Sequence, residues 1–360
     1  MKQIGECLLF LLLSFSGKSQ YVGLNKTEVT ALQHLIKVDK NVTGLYASIR
    51  NIADISIIEL PNPIDTLVSE GHLATDPKKI VTVKSLVDID KIYALGITYS
   101  VEGNRIYLQK AIEFILAWAM VNKPLGNPIN DTKFEKLLMA YDMIKTDFSP
   151  SQKQLVDIWL TKMADEEINT AKNKERKTSF NNWNTHRLKM IGCIAYILNN
   201  AAYKKYIEIE LPIQIEKNLL PDGSGIDFVE RDALHYHVYT LEPFISLATV
   251  VYKATQKDYY HFVSPSGASI KKSIDFLIPF VTGEKTHAEF VNSHVTFDKK
   301  RAENKEPGYQ IGGSFHTNEA VSVLMQAAWF EAACMEAVFI IRGDKNDTPG
   351  WQAVLNKLKK

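Results

Sequence analysis

The stretch VDIDKIYALGITYSVEGNRIYLQKAIEFILAWAMV, residues 87–121, decides the fold class. It reads as two apolar helical runs, 87–101 and 105–121, broken by the turn Glu102-Gly103-Asn104. In the second run Ile112, Ile115, Leu116, Trp118 and Ala119 spread apolar surface over much of the circumference, as in a buried inner helix. Two such runs with a three-residue turn make an antiparallel helical hairpin. The same period recurs outward in both directions. Residues 27–38 begin at a polar cap and put Val29, Leu32, Leu35 and Ile36 on one face. Further helical runs cover 132–145, 151–173, 183–200, 233–254, 269–281, 317–339 and 350–358. Only 52–60 and 206–215 alternate enough to suggest strands. Stacked helical hairpins, an all-α architecture, follow from this pattern. No repeat of fixed period and no composition break divides the chain; the glycine-rich stretches 222–225 and 308–314 are surface loops.

Of the 360 residues, 46% are hydrophobic and 23% charged, ample for a large core. Forty-two basic against 41 acidic residues leave a formal charge of +1, so a polyanionic partner would have to be held by local clusters of cations. No basic stripe interleaved with aromatics points to nucleic acid. Lys2, the apolar run 7–15 and the small polar residues 16–19 read as a signal peptide cleaved near Ser19. The run is too short to span a bilayer, and the mature chain is expected in the periplasm or outside the cell. Cys193 and Cys334 lie in apolar helical stretches, either as a pair or as two buried thiols.

Two segments hold residues suited to chemistry. The first is Phe180-Asn181-Asn182-Trp183-Asn184-Thr185-His186-Arg187, where the asparagine pair makes a natural helix start. Asn182 and His186 then share a face, and Trp183 and Arg187 the adjacent one. The second is Asp227-Phe228-Val229-Glu230-Arg231-Asp232-Ala233-Leu234-His235-Tyr236-His237. On a strand His235 and His237 could share a metal ion; on the helix expected from residue 233 they diverge. Residues 222–227 lack the downstream glutamate of a calcium loop and read as a turn. No phosphate loop, nucleophile elbow or zinc-protease motif occurs.

Asn181-Asn182-Trp183-x-x-His186, followed by Arg231-x-Ala233-Leu234-His235-Tyr236-His237, resembles the alginate lyase superfamily, nearest to polysaccharide lyase family thirty-eight and more distantly family five. In family five the histidine directly follows the asparagine pair; here Trp183 stands in that place. Residues 283–290 also look familial, without an assigned role. The resemblance implies one (α/α) toroid of six to seven helical hairpins over residues 20–360, after a signal peptide at 1–19. It also implies metal-independent β-elimination of a uronic-acid polymer, alginate or glucuronan, with no cofactor. Asn182 and Arg231 would clamp the carboxylate, Tyr236 would serve the departing C4 oxygen, and His186 would act as base or assist the tyrosine. Trp183, Arg187, His235 and Tyr239 would contact sugar. A noncatalytic glycan-binding helical protein is the competing class, and a toroidal glycoside hydrolase would need paired carboxylates that Glu230 and Asp232 do not supply.

Overall fold

The computed structural model describes residues 20–346 and 348–359; the proposed signal peptide lies outside them. Helix α1 (Lys26–Val38) starts at Asn25, whose side chain and that of Glu28 cap each other's backbone, and it meets α2 (Lys40–Ser56) across the shared cap Asp39. Helix α3 (Pro77–Glu102) is capped by Asp76, with proline in its first turn. It stops at Gly103, whose φ of 71° is left-handed, and Asn104 at once caps α4 (Arg105–Val121). The hairpin turn is therefore the one expected.

Beyond it lie α5 (Pro128–Asp131), a 3-10 turn at Thr132–Phe134, α6 (Glu135–Ile144), α7 (Pro150–Ala171), α8 (Asn182–Ile197) and α9 (Ala201–Asn218). The chain continues through α10 (Ile226–Arg231), α11 (Leu234–Thr255), α12 (Ile270–Val281), α13 (Thr296–Glu303), α14 (Ala320–Ala327), α15 (Cys334–Arg342) and α16 (Trp351–Asn356). Neighbours pack in sequence around the molecule: α2 on α3, α3 on α4 and α6, α4 on α7, α7 on α8, α8 on α9 and α11, α11 on α14. The result is an all-α (α/α) toroid. Among the described residues no strand forms, only the isolated bridges Leu219–Gly225 and Ala288–Ser314. The last helix closes on the first ones. The Trp351 indole donates to the Tyr93 hydroxyl at 2.9 Å, and Lys357 pairs with Asp39 at 3.0 Å.

Helix α8 is the inner wall, with every residue from Asn184 to Ile197 buried. Gly192 lets α11 close on it: a β-carbon there would stand 2.2 Å from Leu247 Cδ1. Several expectations need correcting. Helix α4 is not wholly buried; Tyr107, Leu108, Ala111, Phe114, Ile115 and Trp118 form one inward face, while Ile106 and Met120 are exposed. The alternation in 206–215 belongs to α9, and most of 52–60 to the end of α2 and its exit turn, because helical packing overrides a weak period-two signal. The run 317–339 divides into α14 and α15 with turns between. Of the two readings left open for Cys193 and Cys334, the structure has two buried free thiols.

Candidate active site

The site is built where the first turns of α8 and α11 face each other. Gln214 fixes the approach to α8: its amide donates to the Phe180 and Asn181 carbonyls and to Thr185, and its oxygen accepts from Asn184 at 2.7 Å. Asn181 caps the helix by accepting from the Trp183 N–H at 3.0 Å. Near the buried Asp227 carboxylate, which accepts from Asn218 and Thr240, lies the backbone N–H of Asn182. Its own amide side chain makes no hydrogen bond among the described residues. Along α8, Asn182, His186 and Lys189 recur at helical spacing and form a polar stripe. Helix α11 presents its own stripe at the same spacing: His235, Tyr239, Glu242 and Ser246.

His186 and Tyr239 meet across the two stripes, ring centroids 4.4 Å apart. The imidazole is buried, its Nδ1 lies 3.0 Å from Thr132 Oγ1, and its Nε2 has no aligned hydrogen-bond partner. Burial, then the cations Lys189 and Lys133, hold its pKa well below the ordinary range, so the ring is neutral at pH 7. Pro243 contributes from within α11. Having no N–H, it leaves the Tyr239 carbonyl without its helical donor, and that carbonyl weakly favours a proton on His186. The Tyr239 ring is partly exposed, and its hydroxyl makes no hydrogen bond among the described residues.

Tyr236 sits differently. It is 5% exposed, and its hydroxyl accepts from Arg301 Nη1 at 2.7 Å. Arg301 also reaches the Tyr309 hydroxyl at 3.0 Å and Glu70 at 3.3 Å. Arg231 lies over the Tyr236 ring, 3.8 Å from its centroid, and pairs with the buried Asp298 at 2.6 Å. Burial and Tyr309 raise the Tyr236 phenol well above its usual pKa, and the two arginines oppose them. The start of α11 is capped from outside: Glu289 accepts the Leu234 and His235 N–H groups at 2.9 and 3.1 Å.

Residues 62–287, more than half of the chain, match the alginate lyase family. The chain belongs to the alginate lyase family. It is thus a carbon–oxygen lyase acting on polysaccharides. Solved structures carry the same fold. An alginate lyase from Bacteroides ovatus superposes with a TM-score of 0.71 at 14% identity, over 94% of this chain and 98% of that one. Alginate lyase A1-III from Sphingomonas species A1 gives 0.60 at 16%, covering 88% and 89%. A variant of alginate lyase A1-III complexed with tetrasaccharide gives 0.57 at 17%, covering 74% and 79%. No curated protein matches.

In this alginate lyase family member the structure brings together Asn182 and His186 from one motif with Arg231, His235, Tyr236 and Tyr239 from the other. Arg187 stands apart from that group. Its three donor nitrogens are engaged by Glu167, Asn184 and Thr170, and at 4% exposure it holds a buried ion pair rather than a sugar. Trp183 is partly exposed. His235 pairs with Glu319 at 2.7 Å, whereas His237 bonds the Ser273 carbonyl, so the two rings diverge as a helix requires. Sequence reasoning missed Arg301, Tyr309 and Glu70 around Tyr236, Lys133 near His186, and Glu242 one turn beyond Tyr239. None of them belongs to a short motif. The 283–290 segment, without a role in sequence, supplies the Glu289 cap and the Phe290 ring 6.2 Å from Tyr236.

Proposed function

We propose that the chain cleaves 1,4-linked uronic-acid polymers of the alginate type by β-elimination, that Tyr239 exchanges protons with the sugar, and that mannuronate linkages are preferred. One observation carries this reading: a neutral, enclosed His186 packs against a partly exposed tyrosine whose hydroxyl makes no hydrogen bond among the described residues. In β-elimination the C5 hydrogen leaves as a proton, the C4–O bond to the next sugar breaks, and a C4=C5 bond forms. Burial keeps the Tyr239 phenol protonated. It can therefore give its hydrogen to the departing O4 while its oxygen takes the C5 proton, and it ends as it began. The free amide of Asn182 suits the substrate carboxylate, whose neutralisation makes C5 acidic.

A single tyrosine serves both steps only when the C5 hydrogen and O4 lie on the same face, as in mannuronate. Guluronate presents the hydrogen on the other face and needs a second base. The His186 Nε2 is shut in by protein, which favours a role behind Tyr239 over direct attack. A second reading keeps Tyr236 as the acid, supported by the Arg301 contact that would stabilise its phenolate. Export to the periplasm or beyond is part of the proposal, supported by the apolar run at residues 7–15.

The test is the growth of ultraviolet absorbance from the conjugated C4=C5 product on mannuronate blocks, guluronate blocks and glucuronan. Fastest growth on mannuronate is expected. Guluronate as the faster substrate would overturn the single-tyrosine mechanism, and glucuronan as the only one would reassign the substrate. Binding of oligosaccharide without absorbance on any polymer would make the chain a glycan binder.

A further inference from the structure

The cations around the two tyrosines and His186 are nearly all engaged by carboxylates. Lys189 pairs with Glu135, Arg301 with Glu70 and Arg231 with Asp298. Lys133 stands apart. It is exposed, and its ammonium makes no ion pair or hydrogen bond among the described residues. Its backbone is nonetheless fixed, because it lies between Thr132, which holds His186, and Phe134, which is fully buried against Trp118 and Trp159. Glu242, one turn beyond Tyr239 on α11, is the matching acid. It is partly buried and also makes no hydrogen bond or ion pair among the described residues. Lys133 and Glu242 attract each other, yet they do not come within the 4.0 Å of an ion pair. Two unpaired opposite charges, one beside the residue that holds His186 and one a turn beyond Tyr239, leave polar groups for a third party to satisfy.

We infer that Lys133 and Glu242 form a sugar subsite flanking the bond that is cut, with Lys133 binding the carboxylate of the neighbouring uronate and Glu242 accepting its hydroxyl hydrogens. The inference rests on the polyuronate reading above. The chemistry follows from the substrate class: every residue of such a polymer carries a carboxylate, and the one beside the reacting sugar needs a cation of its own. Lysine suits this as a compact point charge with three donors. Glu242 gives the subsite direction, since a second carboxylate placed on its side would meet repulsion instead of a donor. Lys133 therefore contributes to specificity and binding, not to the proton transfers.

The experiment compares steady-state cleavage of mannuronate polymer by wild type, Lys133→Ala, Lys133→Arg and Lys136→Ala. Lys136 is an exposed surface lysine paired with Asp90, and its removal controls for the loss of one positive charge. Loss of a charge-assisted contact should raise KM about tenfold in Lys133→Ala while kcat changes far less. Lys133→Arg should recover most of the affinity. Added salt should raise KM for wild type more than for Lys133→Ala. An unchanged KM in Lys133→Ala, or a rise no larger than in Lys136→Ala, would overturn the subsite while leaving the lyase reading intact. Absence of cleavage by wild type on every polyuronate would remove both.

Discussion

Tyr236 and Tyr239 lie three residues apart on one helix, and the sequence motif alone ranks Tyr236 first. Their surroundings separate them. Tyr236 has its hydroxyl on Arg301 and its ring under Arg231, whereas Tyr239 has a free hydroxyl beside His186. Tyr239→Phe is therefore expected to keep the fold and lower kcat by about a hundredfold or more, the usual scale for a lost acid–base group. Tyr236→Phe should retain most of the rate and instead lose stability, since Arg301 loses a buried acceptor. Parallel kinetics and thermal melts would decide; a severe kcat loss in Tyr236→Phe with near-normal Tyr239→Phe reinstates the other tyrosine. Arg231 follows the same logic. Its partner Asp298 is 1% exposed, so truncating the arginine strands a buried carboxylate, and any rate loss has to be separated from unfolding.

At the scale of elements, α11 is held at both ends of its working segment. Glu289 satisfies its first two N–H groups, and Pro243 cuts its hydrogen-bond ladder after the tyrosines. Glu289→Ala should cost about 1 kcal/mol, as loss of a helix cap does, and should disturb Tyr239 more than it disturbs α8. Chemical denaturation gives the first quantity; a kcat loss out of proportion to the binding loss gives the second. A stability change below measurement error would show that water replaces the carboxylate. The start of α8 was legible in the sequence because an asparagine pair before an apolar run has one local meaning. The partner of His186 was not, because the angle at which α11 crosses α8 is set by Gly192 against Leu247, in the interior of both helices. Lys133, Arg301 and Glu70 were invisible for a related reason: each belongs to an ordinary polar stretch and is brought in by tertiary packing from more than fifty residues away.

For the whole molecule, the fold class was readable from one hairpin at residues 87–121, while the closure of the ring depends on contacts between distant helices. The core also balances two buried titrating groups near the α10–α11 junction. Burial raises Asp227 to about 6 and lowers His237 to about 4. Between these values the folded state holds a proton on Asp227 that the unfolded chain has lost, so this contribution falls as pH rises. His237 works the other way: between about 4 and 6.5 the unfolded chain takes a proton that the folded one refuses, so this contribution falls as pH drops. Each amounts to about 3 kcal/mol, and together they largely cancel. Asp227→Asn should make stability fall more steeply than wild type on acidification from pH 6.5 to 4, and His237→Asn should make it fall more steeply as pH rises through 6. Parallel slopes in all three proteins would show that neither group titrates differently on folding. The stitching of the last helix to the first ones, through Trp351 on Tyr93 and Lys357 on Asp39, bears on cooperativity. An open stack of helical hairpins has end units with one neighbour each, and melting can begin there. A closed ring has no such unit. Heat should unfold this chain in a single transition whose calorimetric and van't Hoff enthalpies agree, and releasing the Trp351 contact should split that transition before it lowers the midpoint of the main one.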